Sequence, residues 1–310
     1  MIKLQSGELK SFSRYIHSIC AVSLDDSKGY LIEGRLSSLL IETGAESFAQ
    51  LLLRVTSDSS GTLKRRIIDA ITTGETLFFR DTAPFEMLRH KILPDLIDRR
   101  ARTRSRLPIR IWSAACSTGQ EIYSIAIVLK ELLGDPDRYG VRLLATDISN
   151  QAVARASKGV FGPVEVARGL GSDVREKYFI STAEGWKIRD EIRAMVSFKT
   201  FNLMDDFSTL GKFDIVFCRN VAIYFTEQDR ISLFGRIERA IEKDGYLVVG
   251  AMESLSGISP QFESKRYLRS VFYQSRSGSG IATECPASIQ PAFASELLDR
   301  RPSRASAERA

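Results

Sequence analysis

From residue 109 onward the chain alternates strand-like and helix-like segments, and few architectures accept that rhythm. "IRIWSAAC" reads as a strand. "EIYSIAIVLKELL" reads as a helix with Ile122, Ile125, Ala126, Leu129, Leu132 and Leu133 on one face. A second strand, "VRLLATDIS", and a second helix, "NQAVARASKGV", follow. Later come "FDIVFCRN" (strand), "EQDRISLFGRIERAIEKDG" (helix) and "YLVVGAMES" (strand), and then "SKRYLRS" and "VFYQSR" as an antiparallel hairpin or edge. Such alternation predicts an α/β domain with a mainly parallel sheet covered on both faces.

Ligands of such sheets sit beyond the carboxyl ends of the strands, so the first strand-to-helix turn, "SAACSTGQE", is the place to look. It has one glycine, Gly119, where a dinucleotide site needs GxGxxG, and no lysine follows as a phosphate-binding loop requires. The lone glycine predicts close approach by a ligand with little or no phosphate. Asp147, at the end of the second strand, lies 28 residues past Gly119, about where an acid accepts hydrogen bonds from ribose hydroxyls. Glu121 either faces the same pocket or satisfies the amides of the first helical turn. Two carboxylates without a phosphate cradle suit a cationic nucleoside such as S-adenosylmethionine.

Residues 9–98 read as short amphipathic helices. "YLIEGRLSSLLIE" places Leu31, Ile32, Leu36, Leu39 and Leu40 near one face, and Thr82 is placed to cap a helix with Pro84 in its first turn. The expected organisation is a helical domain over 1–98, an arginine-rich linker over 99–108, the α/β domain over 109–275 with a β insert at about 176–203, and a disordered tail over 276–310. The net charge of +6 equals the six arginines of residues 99–110, so it marks one connector, either solvated or touching an acidic partner, and not a nucleic-acid-binding face. With no CxxC pair among four cysteines and only two histidines, neither a disulfide framework nor a metal centre is expected. No apolar run reaches the ~20 residues of a membrane span, and the N-terminal stretch lacks a signal-peptide layout. Cytoplasmic residence is the expectation.

Five blocks in order, "TTGETLFFRDTAPFEMLR", "IWSAACSTGQEIYSIAIVL", "ATDIS", "FDIVFCRNVAIYF" and "GYLVVGAMESL", resemble the signature blocks of the chemotaxis receptor methyltransferases of the CheR type. With the weaker N-terminal helical pattern, the resemblance runs from about Leu9 to Tyr273. It implies an all-α N-terminal domain before a Rossmann-like, S-adenosylmethionine-dependent methyltransferase domain with a small antiparallel β subdomain. The implied reaction is methyl transfer to glutamate side chains of the cytoplasmic helical domain of chemoreceptors, leaving S-adenosylhomocysteine. By motif, the implied cofactor contacts are Thr76, Arg80, Glu121, Asp147, Asn202, Leu203, Arg219 and Asn220, with Arg80 and Tyr224 serving catalysis. Gly74 stands where the family usually has asparagine, so a side-chain hydrogen bond is missing there. Gln120 replaces a common acid and Ile122 a common proline. Without the resemblance, Tyr224 in "VAIYF" also reads as a core aromatic, and Arg80 as a surface ion pair with Asp81 or Glu86.

Rival readings are a non-catalytic S-adenosylmethionine-binding adaptor on the same fold and a nucleic-acid methyltransferase, whose Asn/Asp-Pro-Pro-Tyr/Phe motif is absent. A monomer without membrane insertion or nucleic-acid binding is expected. The insert turn "STAEG" lacks the glycine-rich loop associated with members that bind a receptor tail. Calorimetric titration with a receptor C-terminal peptide should therefore give no micromolar binding, and such binding would refute this expectation.

Overall fold

The computed structural model describes residues 3–103 and 108–276. Four helices come first: α1 (Ser6–Cys20), α2 (Gly29–Thr43), α3 (Phe48–Ser57) and α4 (Thr62–Ile71). Their apolar stripes close on one core of Phe12, Ile16, Ile32, Leu36, Phe48, Leu51 and Ile67, with the Phe12 and Phe48 rings edge to face at 5.8 Å. Of the stripe read on α2, Ile32, Leu36, Leu39 and Leu40 are buried. Leu31 is half-buried and faces the interdomain cleft instead.

The helical core ends at Ile71, not at residue 98. Phe78, Phe85, Leu88, Ile92, Leu93 and Leu96 pack into the core of the α/β unit. Helix α5 (Ala83–Met87) continues through a π-helical turn (Leu88–Ile92) into α6 (Leu93–Thr103). Pro94 lacks the N–H that would reach back to His90, which accounts for the widened turn just before it. Thr82 does occupy the cap position of α5, but with φ at 20° its side chain makes no capping bond.

The run expected as a linker also begins as helix. In α6, Arg99 donates to the Tyr246 hydroxyl at 2.9 Å and pairs with Asp244 at 3.2 Å, while Arg100 pairs with the buried Asp214. Arg110 donates to the Leu210 carbonyl at 2.7 Å and lies over the Phe213 ring. These arginines fasten α6 and the first strand to the sheet. The tail expected over 276–310 lies, beyond Arg276, outside the described residues.

The main sheet has seven strands: β1 (Arg110–Ala114), β2 (Arg142–Asp147), β6 (Val196–Thr200), β7 (Phe213–Cys218), β8 (Ile241–Val249), β9 (Phe262–Tyr267) and β10 (Ser270–Ser275). Their order is β6-β2-β1-β7-β8-β10-β9, parallel through β8 and antiparallel at β10 and β9. Every residue of the central strand β7 is buried, as strands covered on both faces require. A three-stranded antiparallel sheet holds β3 (Val160–Phe161), β5 (Gly185–Ile188) and β4 (Phe179–Thr182). The insert therefore starts before residue 176, and "MVSFKTF" leaves it. Leu143–Asp147 of β2 align with Val196–Thr200, which makes β6 the edge of the main sheet.

Helix α7 (Gln120–Leu133) leads from β1 toward β2, with α8 (Asn150–Lys158) next. Three short helices belong to the insert region, α9 (Pro163–Ala167), α10 (Ser172–Tyr178) and α11 (Asp190–Arg193), and α12 (Glu227–Ala240) leads from β7 to β8. Chain direction across the sheet reverses between β1 and β7, and a crevice opens where the two crossovers diverge.

Asp214 accepts the Arg110 backbone N–H at 2.7 Å as well as Arg100, and only 3% of its side chain is exposed. Burial pushes its carboxyl above the ordinary range, a shift that the Arg110 amide and Arg100 partly offset. Truncating Arg100 to alanine should cost about 3–5 kcal/mol by leaving that charge unpaired, read as a lower urea midpoint.

Candidate functional site

The crevice continues between the two domains as a cleft of about 410 Å³. Its walls include Gly74, Thr76, Arg80, Glu121, Asp147, Asn202, Leu203, Arg219, Asn220 and Tyr224, so every site residue named from the sequence lies in one place. They come from the 74–80 segment, the first turn of α7, and the ends of β2, β6 and β7.

The turn after β1 is unusually bent, with positive φ at Ala115 (65°), Ser117 (51°) and Gly119 (98°). The reason for Gly119 differs from the one read in the sequence. A Cβ there would lie 3.0 Å from the Ala156 Cβ and 3.2 Å from the Tyr123 ring. The glycine permits close packing of α7 on α8 at a left-handed φ, while Ala115 to Thr118 of the same turn line the cleft.

Asp147 is fixed by its neighbours. The Ser117 N–H donates to Oδ2 at 2.8 Å and the Ser149 N–H to Oδ1 at 2.9 Å, leaving acceptor capacity on both oxygens. Burial raises its carboxyl above the ordinary range, partly offset by those amides. The Cys116 thiol, also in the cleft wall, is pushed well up by burial and by the charges of Asp147 and Glu121, so it is no thiolate nucleophile.

Glu121 and Arg219 form an internal network. Glu121 accepts from the Ser113 hydroxyl at 2.8 Å and from Arg219 Nη1 at 2.9 Å. The other Arg219 amino group donates to the Arg80 carbonyl at 2.9 Å and to Asp81 at 2.8 Å. Only 1% of the Arg219 side chain is exposed. Glu121 is thus paired within the protein, sharing Arg219 with Asp81. Asn202 is similarly committed: its Nδ2 donates to the Ile19 carbonyl at 3.0 Å and its Oδ1 accepts from the Met204 N–H at 3.0 Å. Leu203 is buried against the sheet core, and its carbonyl accepts from Arg236.

Arg80 stands on a turn with positive φ at Phe79 (50°), Asp81 (64°) and Thr82 (20°). Its side chain donates to the Glu75 carbonyl at 3.1 Å and makes no ion pair among the described residues. Asp81 is taken by Arg219 and Glu86 by His90, so neither supports a surface pair with Arg80. Tyr224 is 37% exposed in the cleft wall and is no core aromatic. Gly74 holds the Ser117 hydroxyl through its carbonyl at 3.0 Å, and a Cβ on it would meet only that oxygen at an ordinary 3.6 Å.

Glu253 escaped the sequence reading although it stands in the quoted "GAMES". Its Oε2 accepts the backbone N–H groups of Asn220 and Gly250, both at 2.7 Å, which holds Asn220 at φ 56°. A Cβ on Gly250 would fall 2.6 Å from that oxygen. The glycine before "AMES" was the available signal, but nothing local pairs it with Asn220 across the sheet.

Comparison with known proteins places residues 7–270. Residues 74–270 match the family model described as "CheR methyltransferase, SAM binding domain", and residues 7–72 match "CheR methyltransferase, all-alpha domain". The chain belongs to the CheR methyltransferase family. The chemotaxis protein methyltransferase Cher2 of Pseudomonas putida is 36% identical over 274 residues, covering 87% of this chain and 98% of the relative. The chemotaxis protein methyltransferase of Vibrio parahaemolyticus is 37% identical over 276 residues, covering 88% and 98%. The boundary between the two family domains, at 72–74, coincides with the change of core seen in the packing.

The state of Asp147 carries a pH signature. A ribose held by Asp147 would favour the ionised carboxylate, since protonation turns one of its acceptor oxygens into a donor. Affinity for S-adenosylhomocysteine should be full above the raised value and fall as pH drops through it, earlier than an ordinary aspartate at about 3.9 would allow. Asp147→Asn should flatten that dependence in calorimetry from pH 8 to 4.5; an unchanged slope would sink it.

Proposed function

We propose that this CheR-family methyltransferase transfers a methyl group from S-adenosylmethionine to glutamate side chains of a chemoreceptor. The observation that carries this reading is that Arg80, free of any ion pair among the described residues, and the half-exposed Tyr224 share one cleft with Asp147. The donor set fits the cofactor. Asp147 keeps acceptor capacity for ribose hydroxyls, and the bend at 115–119 offers no phosphate cradle. Asp147, Thr76 and Asn220 would hold it, together with main-chain groups near Asn202 and Leu203. The cofactor supplies an electrophilic methyl on a positively charged sulfur.

A glutamate carboxylate is already ionised near pH 7, so attack needs no general base, in keeping with a cleft without histidine among its lining residues. Opposite charges vanish as the methyl moves, so water stabilises the separated reactants more than the transition state. What this chain contributes is dryness and alignment, and alignment alone is worth up to about 7–11 kcal/mol in favourable systems. Arg80 is the one cleft cation placed by the strained 79–82 turn, and it orients the incoming carboxylate or the cofactor's own. The Tyr224 hydroxyl directs the methyl.

Incubation of the protein with radiolabelled S-adenosylmethionine and receptor-bearing membranes should yield base-labile label released as methanol, as carboxyl methyl esters do. Arg80→Ala should reduce that rate by about 10²–10³-fold, the loss typical of a positioned electrostatic group. Full rate in that variant would remove Arg80 from the reaction. Cofactor binding without any labelled ester would favour the adaptor reading instead.

A further inference from the structure

Three hydrogen bonds and one buried side chain tie residues 17–23, the end of α1 and the stretch just after it, to the methyltransferase domain beside Tyr224. His17 Nε2 lies 2.7 Å from Asp229 Oδ2 across the domain boundary. The Ser23 N–H donates to the Tyr224 carbonyl at 2.9 Å. The Ile19 carbonyl accepts from Asn202, another cleft residue. Between them Ala21, in the left-handed conformation at φ 58°, is buried in the core of the methyltransferase domain and not in that of its own helices.

The anchored rim is short. Ala222–Tyr224 form one 3-10 turn, and Thr226 caps α12 by accepting the Asp229 N–H while its hydroxyl donates to the Asp229 carboxylate. Burial pushes the Asp229 carboxyl up, but the bonds from Thr226 and His17 outweigh it and hold it below the usual range. Ala222 and Phe225 are buried, while Tyr224 stands 37% exposed in the cleft wall.

We infer that His17 is a positioning residue for methyl transfer: clasping Asp229 at one end of the rim while Ser23 holds the other, it sets where Tyr224 stands. The inference rests on the role proposed for Tyr224, and it makes the N-terminal domain part of the catalytic geometry as well as a wall of the cleft. The clasp requires reach and one donor, both of which a glutamine Nε2 supplies.

The test uses the full chain as His17→Ala and His17→Gln, each alone and combined with Tyr224→Phe. His17→Ala should lower kcat about tenfold or more while S-adenosylhomocysteine affinity stays within about twofold. His17→Gln should restore most of the rate. In the Tyr224→Phe background the alanine should cost little more, because both changes act on one group. An equal, additive loss in both backgrounds would overturn the inference and leave the proposed reaction standing. Hydrogen exchange over residues 219–230 gives a readout that needs no methyl transfer. His17→Ala should speed exchange there about tenfold and His17→Gln should restore it, even if no ester forms and the proposed reaction fails. Unchanged exchange would end the inference by itself.

Discussion

A single guanidinium holds the active end of this molecule together. Arg219, at the tip of β7, reaches Glu121 in the first turn of α7, and Asp81 and the Arg80 carbonyl on the strained turn before α5. It also lies over the Phe85 ring at 5.7 Å. Three pieces of chain far apart in sequence thus meet on one buried charge, and breaking such a buried pair is strongly destabilising because it strands the partner. The arrangement explains how a turn with three residues at positive φ persists beside the cleft. The turn is anchored through its own backbone carbonyl, which leaves the Arg80 side chain at liberty.

Charge in the cleft is arranged with economy. Glu121 shares Arg219 with Asp81, Asp147 is cradled by amides, and Arg80 is left without an acidic partner among the described residues. In the proposed reaction a substrate carboxylate would meet a cation with no acidic partner among the described residues. The scarcity of histidine is consistent with the proposed chemistry, in which the nucleophile would arrive ionised and no proton would have to be moved.

Much of this was legible in the sequence because α/β alternation and short motifs are local signals. The strands β1, β2, β7 and β8, the helices α7 and α8, and ten of the cleft residues follow from periodicity and motif resemblance. What was not legible depends on contacts across the chain. Gly119 reads as a place for a ligand until Ala156 and Tyr123 are seen against it. "MVSFKTF" carries no mark that assigns it to β2 and not to the insert hairpin. Arg99 and Arg100 read as a solvated run because their partners, Asp244 and Asp214, lie more than a hundred residues away. Helix ends suffered likewise: α12 stops at Ala240 because Ile241 already pairs with Phe213.

The burial of Ala21 in the second domain has a consequence for biosynthesis. The four N-terminal helices leave the ribosome first and possess their own core, yet the end of α1 finds its partners only when Asn202, Tyr224 and Asp229 emerge, about 180 to 210 residues later. Contacts of such long sequence separation form late. A nascent chain therefore has a folded head and no working pocket, and only the nearly finished polypeptide assembles one.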